Sequence, residues 1–394
     1  MLAVILLSTS CQKDQPNRFI PDEYEILLKH LNLPEEDFDY SVTLPNHLIH
    51  FFPENLTNES DKVRDAQATL GRVIFYDTRL SANHSVSCAT CHDQSKGFGD
   101  NEVLSKGFNG EVGHRNSIAL ATTVGFETSY GGEGEPNGGP IDVGPIVQFS
   151  WDDMTPDLMQ QSRQAIESEV EMGMNMSDVV ERLKNEEFYG ILFKRAFDNI
   201  QISEDKVLLA LQVFINSIAS VDTKFDRALD KDGMPDPFQD VSSFSKQENL
   251  GKQLFNDNCT SCHSFNHALT FIPIANNGLD LNYEDRGKGA KTGLEEEMGM
   301  FKIPFLRNIA LTAPYMHDGR FETLEEVINH YSEGIQMHRN LSNELKEFDN
   351  AFPEGRPKRM HFTQEEKAAL VAYLHTLTDL SLANDERYSD PFKR

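Results

Sequence analysis

The sequence predicts a mainly α fold made of two halves related by internal duplication, and three words recurring in one order carry that prediction. Leu70-Gly-Arg-Val-Ile-Phe75 and Leu250-Gly-Lys-Gln-Leu-Phe255 each lie in a helical run. Cys88-Ala-Thr-Cys91-His92 and Cys259-Thr-Ser-Cys262-His263 follow them, and Arg115-Asn116 and Arg307-Asn308 come next. The middle word reads C-x-x-C-H both times. Its cysteines can each form a thioether to one haem edge, and the adjacent histidine reaches the iron from the same side. This is the attachment signature of a c-type haem. The two copies, Cys88 with Cys91 and Cys259 with Cys262, use four of the chain's five cysteines. The halves are therefore expected to be two cytochrome c-like haem domains, residues 60–222 and 223–394, each holding one covalently bound haem c.

The chain opens on Leu2-Ala-Val-Ile-Leu-Leu7, an apolar run too short to span a bilayer. Ser8-Thr-Ser then precede Cys11, the one cysteine outside the haem words. Residues 1–11 read as the end of a secretory signal with a lipobox-like cysteine. A lipid anchor at Cys11 on the periplasmic side of a bacterial cell envelope is expected, in keeping with covalent haem attachment outside the cytoplasm. No basic residue precedes the apolar run, and the alternative is a free thiol at Cys11. Residues 12–59 are polar and proline-punctuated and form an N-terminal arm, with one short helix over 22–31.

From Ser60 the pattern turns helical, with Ala66, Leu70, Val73 and Ile74 on one face behind a cap at Ser60 or Asp61. Between the halves, helices are expected near 157–169, 177–188 and 203–220, and a glycine-rich loop at 131–140. Ser245 with Glu248, Thr323 with Glu326 and Thr363 with Glu366 form capping boxes that start later helices. The last of these runs to about Leu377. Strand signals are sparse.

The chain has 394 residues, 39% of them hydrophobic and 25% charged, and a net charge of −27. That charge argues against nucleic acid and anionic lipid, and favours a soluble basic partner such as a small electron-carrying cytochrome. An iron with two protein ligands transfers electrons, whereas one with a single ligand can bind a small molecule such as peroxide. With 13 histidines and 12 methionines, composition alone does not choose the second ligands.

From about residue 60 onward the chain resembles the bacterial di-haem cytochrome c peroxidase family, which includes the MauG-like enzymes. The words carrying the resemblance are Leu70-Gly-Arg-Val-Ile-Phe-Tyr-Asp-Thr-Arg-Leu-Ser81, both haem words, Leu306-Arg-Asn-Ile-Ala-Leu-Thr-Ala-Pro-Tyr-Met-His-Asp-Gly319 and Thr323-Leu-Glu-Glu326. The resemblance implies a peroxide-reacting haem in the first half, an electron-transfer haem in the second and one calcium ion between them. Trp151, the only tryptophan, matches the tryptophan between the haems, although Trp-Asp-Asp stands here where many relatives have Trp-Asp-Gly-Arg. Gln161 and Glu171 match the glutamine and glutamate of the distal pocket. Asn116, Thr312 and Pro314 match the calcium ligands, and oxygen-only ligation suits that ion.

Two departures bear on function. Many of these peroxidases carry a displaceable distal histidine on the first haem, and its position is Phe108 here, with His114 too close to Arg115 to replace it. The first haem is therefore expected to be open already, as in MauG-like members. The distal methionine of the second haem falls at Tyr331, a tyrosine that MauG-like proteins use as axial ligand, with Met337 and His338 as alternatives. In this reading, hydrogen peroxide binds opposite His92 and Glu171 acts as the general acid/base. Taken without the resemblance, Glu171 reads as a solvated surface acid. Gln161 orients the peroxide, Trp151 relays electrons, and His263 with Tyr331 serves the second haem. The primary expectation is a cytochrome c peroxidase fed by a soluble cytochrome or cupredoxin. The alternatives are a MauG-like oxidase that modifies a partner protein and a non-enzymatic di-haem electron carrier. Relatives often dimerise, which makes a homodimer a further expectation.

Overall fold

A computed structural model gives the architecture and describes residues 18–48, 61–121, 148–232, 239–264 and 272–393. Cys11, the 131–140 loop and Ser60 lie outside the described residues. In chain order the helices are α1 (Pro21–Leu27), α2 (Lys62–Tyr76), α3 (Cys88–Cys91), α4 (Leu158–Glu167), α5 (Met176–Lys184), α6 (Glu187–Phe197), α7 (Glu204–Ser217), α8 (Lys224–Asp232), α9 (Lys246–Asn258), α10 (Gly289–Thr292), α11 (Leu324–Asn329) and α12 (Gln364–His375). Sheet is confined to two short antiparallel pairs. β1 (Ile274–Ala275) pairs with β2 (Phe301–Lys302), and β3 (Lys346–Glu347) with β4 (Arg356–Pro357). The mainly α class holds.

The duplication is visible as one helix crossing made twice. In the first half α2 packs across α7. A β-carbon on Gly71 would collide with the Ala210 carbonyl and lie 2.7 Å from the Phe214 β-carbon. In the second half α9 packs across α12, where Gly251 meets the Ala369 carbonyl and the Tyr373 β-carbon, again at 2.7 Å. Only glycine permits backbones this close. The last aromatic of each Leu-Gly word then sits on the opposite helix: Phe75 lies 5.3 Å from Phe214, and Phe255 lies 5.5 Å from Tyr373, ring centre to ring centre. The recurring words thus encode a crossing that fixes where each haem word emerges.

Local signals account for most helix starts. Asp61 caps α2 by accepting from Val63 N and Arg64 N. The three capping boxes are formed as expected, at Ser245, Thr323 and Thr363. One expected helix, 177–188, is divided. It ends at Lys184, and the chain restarts at Glu187 to form α6, which buries Phe188, Tyr189, Leu192 and Phe193.

The chain ends do not respect a simple division into consecutive halves. Phe19, Leu27, Leu31 and Tyr40 of the arm belong to the first core, as do Leu382 and Tyr388 from the far end. Buried Arg72 donates to the Ser389 carbonyl at 2.7 Å, and the Tyr388 hydroxyl donates to the Ser217 carbonyl at 2.7 Å. Residues from about 380 therefore complete the first core. The arm also reaches the second half: His47 Nε2 lies 3.0 Å from Asp226 Oδ1, and Arg307 grips the same carboxylate with two hydrogen bonds of 2.7 Å. Burial opposes ionisation of Asp226, but the Arg307 charge and the hydrogen bonds from His47 and Thr223 outweigh it and hold the carboxyl well below the usual range.

Candidate functional site

The first haem word is itself the short helix α3, with Ser87 and Thr90 capping one another at its start. His92 follows, and its Nδ1 pairs with the Phe98 carbonyl at 3.1 Å. A carbonyl only accepts, so the proton sits on Nδ1 and Nε2 keeps its lone pair for a metal. In the second word the His263 backbone N–H donates to the Cys259 carbonyl at 3.0 Å and the Cys262 N–H to the same carbonyl at 3.2 Å, so its two cysteines share one tight turn. Desolvation lowers the pKa of His92, and it pushes His263 down to about 4, with the Pro304 carbonyl opposing. Both shifts favour the neutral imidazole, the form that ligates iron. Desolvation also pushes the Cys88 and Cys259 thiols up to about 12, and those of Cys91 and Cys262 up to about 11.

Glu171 occupies a tight turn beside the first word. Its carboxylate acts electrostatically on both Cys88 and Cys91, raising their thiols. The side chain keeps an exposed face, yet desolvation by its surroundings raises its pKa, with the Ser168 hydroxyl opposing. The 107–108 loop lies directly against it. Phe108 N donates to the Glu171 carbonyl at 2.9 Å, and a β-carbon on Gly107 would strike the Val170 carbonyl. Phe108 is half-buried against the first core, while His114 is exposed. Gln161 lies on α4, and its Oε1 is buried without a hydrogen-bond partner among the described residues.

The second haem word, Cys259, Cys262 and His263, lines one mainly apolar cavity together with Tyr331. Tyr331 stands in a π-helical turn, His330–Gly334, that continues α11. Such turns are frequent at functional sites. Desolvation raises its phenol well above the usual range, against a hydrogen bond with Asn277. Met337 is exposed, and His338 Nδ1 accepts from Asn276 Nδ2 at 3.0 Å; neither lines the cavity. Met316 and Met360 do line it. Neither was picked out by the sequence reading, since a methionine in a loop carries no spacing signal.

The cavity continues to the junction of the halves, where Asn116, Trp151, Thr312 and Pro314 border it. Trp151 Nε1 donates to the Asn116 carbonyl at 2.7 Å, and its ring lies 6.5 Å from His317 in an edge-on arrangement. The Asn116 side-chain nitrogen donates to the Glu102 carbonyl at 3.1 Å, which leaves Oδ1 to accept. Asp153 takes a positive φ of 53°, a conformation that suits the glycine many relatives have at this place.

Two histidines, each behind a pair of cysteines in its own helical half, define a di-haem c-type cytochrome with two covalent haems c. The comparisons with known proteins agree. Residues 65–234 match the family described as Di-haem cytochrome c peroxidase, and residues 249–378 match Cytochrome c. The methylamine utilization protein MauG of Methylorubrum extorquens is 31% identical over 330 residues, covering 82% of each chain. The cytochrome c551 peroxidase of Pseudomonas aeruginosa is 29% identical over 289 residues, covering 70% of this chain and 75% of that protein. The crystal structure of a MauG-like protein associated with microbial copper homeostasis superposes with a TM-score of 0.69 at 27% identity, covering 90% of this chain and 98% of that one. The chain belongs to the di-haem cytochrome c peroxidase family, in its MauG-like branch, and is a peroxidase-type oxidoreductase.

Proposed function

We propose that this chain reduces hydrogen peroxide to water at its first haem, with electrons delivered through the second. The observation carrying the proposal is the turn bearing Glu171, whose carbonyl accepts from Phe108 N at 2.9 Å, so that a carboxyl of raised pKa stands beside the loop that offers no ligand. When bound, the haems supply the two electrons that, with two protons, convert one peroxide into two waters. The side chains handle the protons and the positioning. Glu171 takes the proton from the near peroxide oxygen and returns it to the leaving one. Gln161 Oε1, without a hydrogen-bond partner among the described residues, can accept a hydrogen bond from bound peroxide. Phe108 supplies no donor atom and would leave the iron held by His92 free to take a small molecule. Trp151 is the relay between the halves. Asn116 Oδ1 and the Thr312 and Pro314 carbonyls hold one calcium ion at that junction.

Tyr331 is our choice as the second ligand of the haem held by Cys259, Cys262 and His263. A phenolate oxygen favours oxidised iron, which supports a second reading: a MauG-like oxidase that uses stored oxidising equivalents on a partner protein. The third reading, a plain carrier, gives Glu171 no role. The electron donor in the peroxidase reading is a basic soluble cytochrome or a cupredoxin, attracted by the net charge of −27. Export to the periplasmic side, lipidation at Cys11 and homodimerisation complete the proposal. No described helix is long and apolar enough to cross a membrane.

The test is steady-state peroxide consumption by the holoprotein with a reduced basic cytochrome. Donor oxidation at two electrons per peroxide supports the peroxidase reading. Peroxide that bleaches the haems without oxidising any donor refutes it. Chelation with EGTA should alter the haem spectra and calcium should restore them; unchanged spectra would remove the ion from the proposal.

A further inference from the structure

The turn that carries Trp151 is held by a lysine from the other half of the molecule. Lys302 stands on β2, and its side chain is 1% exposed. Its backbone N–H donates to the Trp151 carbonyl at 2.8 Å. Its ammonium lies 3.3 Å from Asp153 Oδ1 and also donates to the Gln148 carbonyl. Asp153 Oδ1 accepts in turn from Gln148 N at 2.6 Å. One residue therefore grips the turn on both sides of the indole.

Holding a cation at such a place is costly. Burial pushes the ammonium down to about 8, with Asp153 opposing. A well-packed apolar side chain would serve mere stability as well. A second pair closes the turn from the first half: Arg115 Nη1 donates to Asp152 Oδ2 at 3.0 Å and is itself held by Asp285 at 2.7 Å. Phe301, the neighbour of Lys302, stacks on His317 at 3.7 Å, and His317 faces the indole. The two consecutive acids after Trp151 are thus bound to opposite halves.

We propose that Lys302 is a positioning residue for electron transfer between the halves, its contacts to Gln148, Trp151 and Asp153 fixing the orientation of the Trp151 indole. The inference rests on the reading of Trp151 as the relay. In the step concerned, one electron leaves the second half and arrives in the first, and Lys302 neither gains nor loses a proton.

Trp151 is the only tryptophan in the chain, so its vibrational spectrum is unmixed with any other indole. The experiment compares the holoprotein with K302M, with the double variant D153N/K302M and with W151F. Ultraviolet resonance Raman reads the torsion and N–H bands of the indole. Stopped-flow absorbance after peroxide addition reads the response of each haem. In K302M the indole bands should shift, and the second haem's rate relative to the first's should fall about tenfold to a hundredfold, the scale of a misplaced group. The double variant leaves no unpaired charge and should keep both defects. Unchanged Raman bands, shifted bands with an unchanged rate ratio, or recovery in the double variant would each overturn the proposal. If W151F leaves the second haem's response intact, the relay reading fails, while the Raman comparison still judges the positioning.

Discussion

The backbone carbonyl of Glu171 accepts a 2.9 Å hydrogen bond from the amide of Phe108. This joins the turn bearing the candidate acid to the loop on which many relatives carry a displaceable histidine. With Gly107 pressed on Val170 and the Phe108 carbonyl accepting from Asn83 Nδ2 at 2.6 Å, the loop is fastened from both sides. The fully oxidised protein should therefore react with peroxide at full rate without prior reduction. Stopped-flow mixing of oxidised and half-reduced protein with peroxide measures this. Activity confined to the half-reduced form would contradict the open first haem.

Replacing Glu171 by Gln should lower peroxide turnover about a hundredfold or more, the usual scale for an acid/base group. In the proposed cycle Glu171 first accepts a proton, so it must start ionised. Because its pKa is raised, activity should fall on acidification at a higher pH than an ordinary glutamate would give. That acid limb should vanish in E171Q. A variant with near-normal turnover and an unchanged limb takes Glu171 out of the mechanism.

Tyr331→Phe should change the ferric spectrum of one haem and leave the other as it was. Met337→Leu should change neither, since Met337 is exposed. If Y331F leaves both spectra untouched while M360L or M316L alters one, the second ligand is a sulfur.

Asp226→Asn should destabilise the fold by about 3–5 kcal/mol, because Arg307 would lose its buried counter-charge. The sign of the pH effect follows from the depressed carboxyl. Its contribution is complete above the unfolded carboxylate pKa and is lost as pH falls toward the lower folded value. Thermal melts at descending pH should show a steep acid loss in the parent chain and a shallower one in D226N. Parallel curves would assign that loss to other groups.

What could be read in the sequence was local or repeated. The haem words, the three capping boxes and the Leu-Gly words are short, and their physical meaning travels with them. The Leu-Gly words marked a repeat, although the reason for each glycine, a carbonyl on a helix over a hundred residues away, appears only in three dimensions. The break between α5 and α6 falls in the polar run Lys184-Asn185-Glu186-Glu187, which contains no proline or glycine to announce it. Lys302 had no signature, since an isolated lysine in Phe-Lys-Ile reads as surface. Even the second aspartate after Trp151 looked like a lost motif, whereas its left-handed backbone keeps the shape and its carboxylate adds the grip of Lys302. Pairings between distant segments, such as His47 with Asp226, have no local sequence signal.

Tyr388 is 3% exposed, with its ring 6.3 Å from Phe98 and 6.1 Å from Phe214. During synthesis the first haem word therefore emerges some three hundred residues before a side chain that completes its own domain's core. The last residues are thus part of the first domain's interior, and a chain stopped before Tyr388 would keep both haem words yet lose the ring that packs between Phe98 and Phe214.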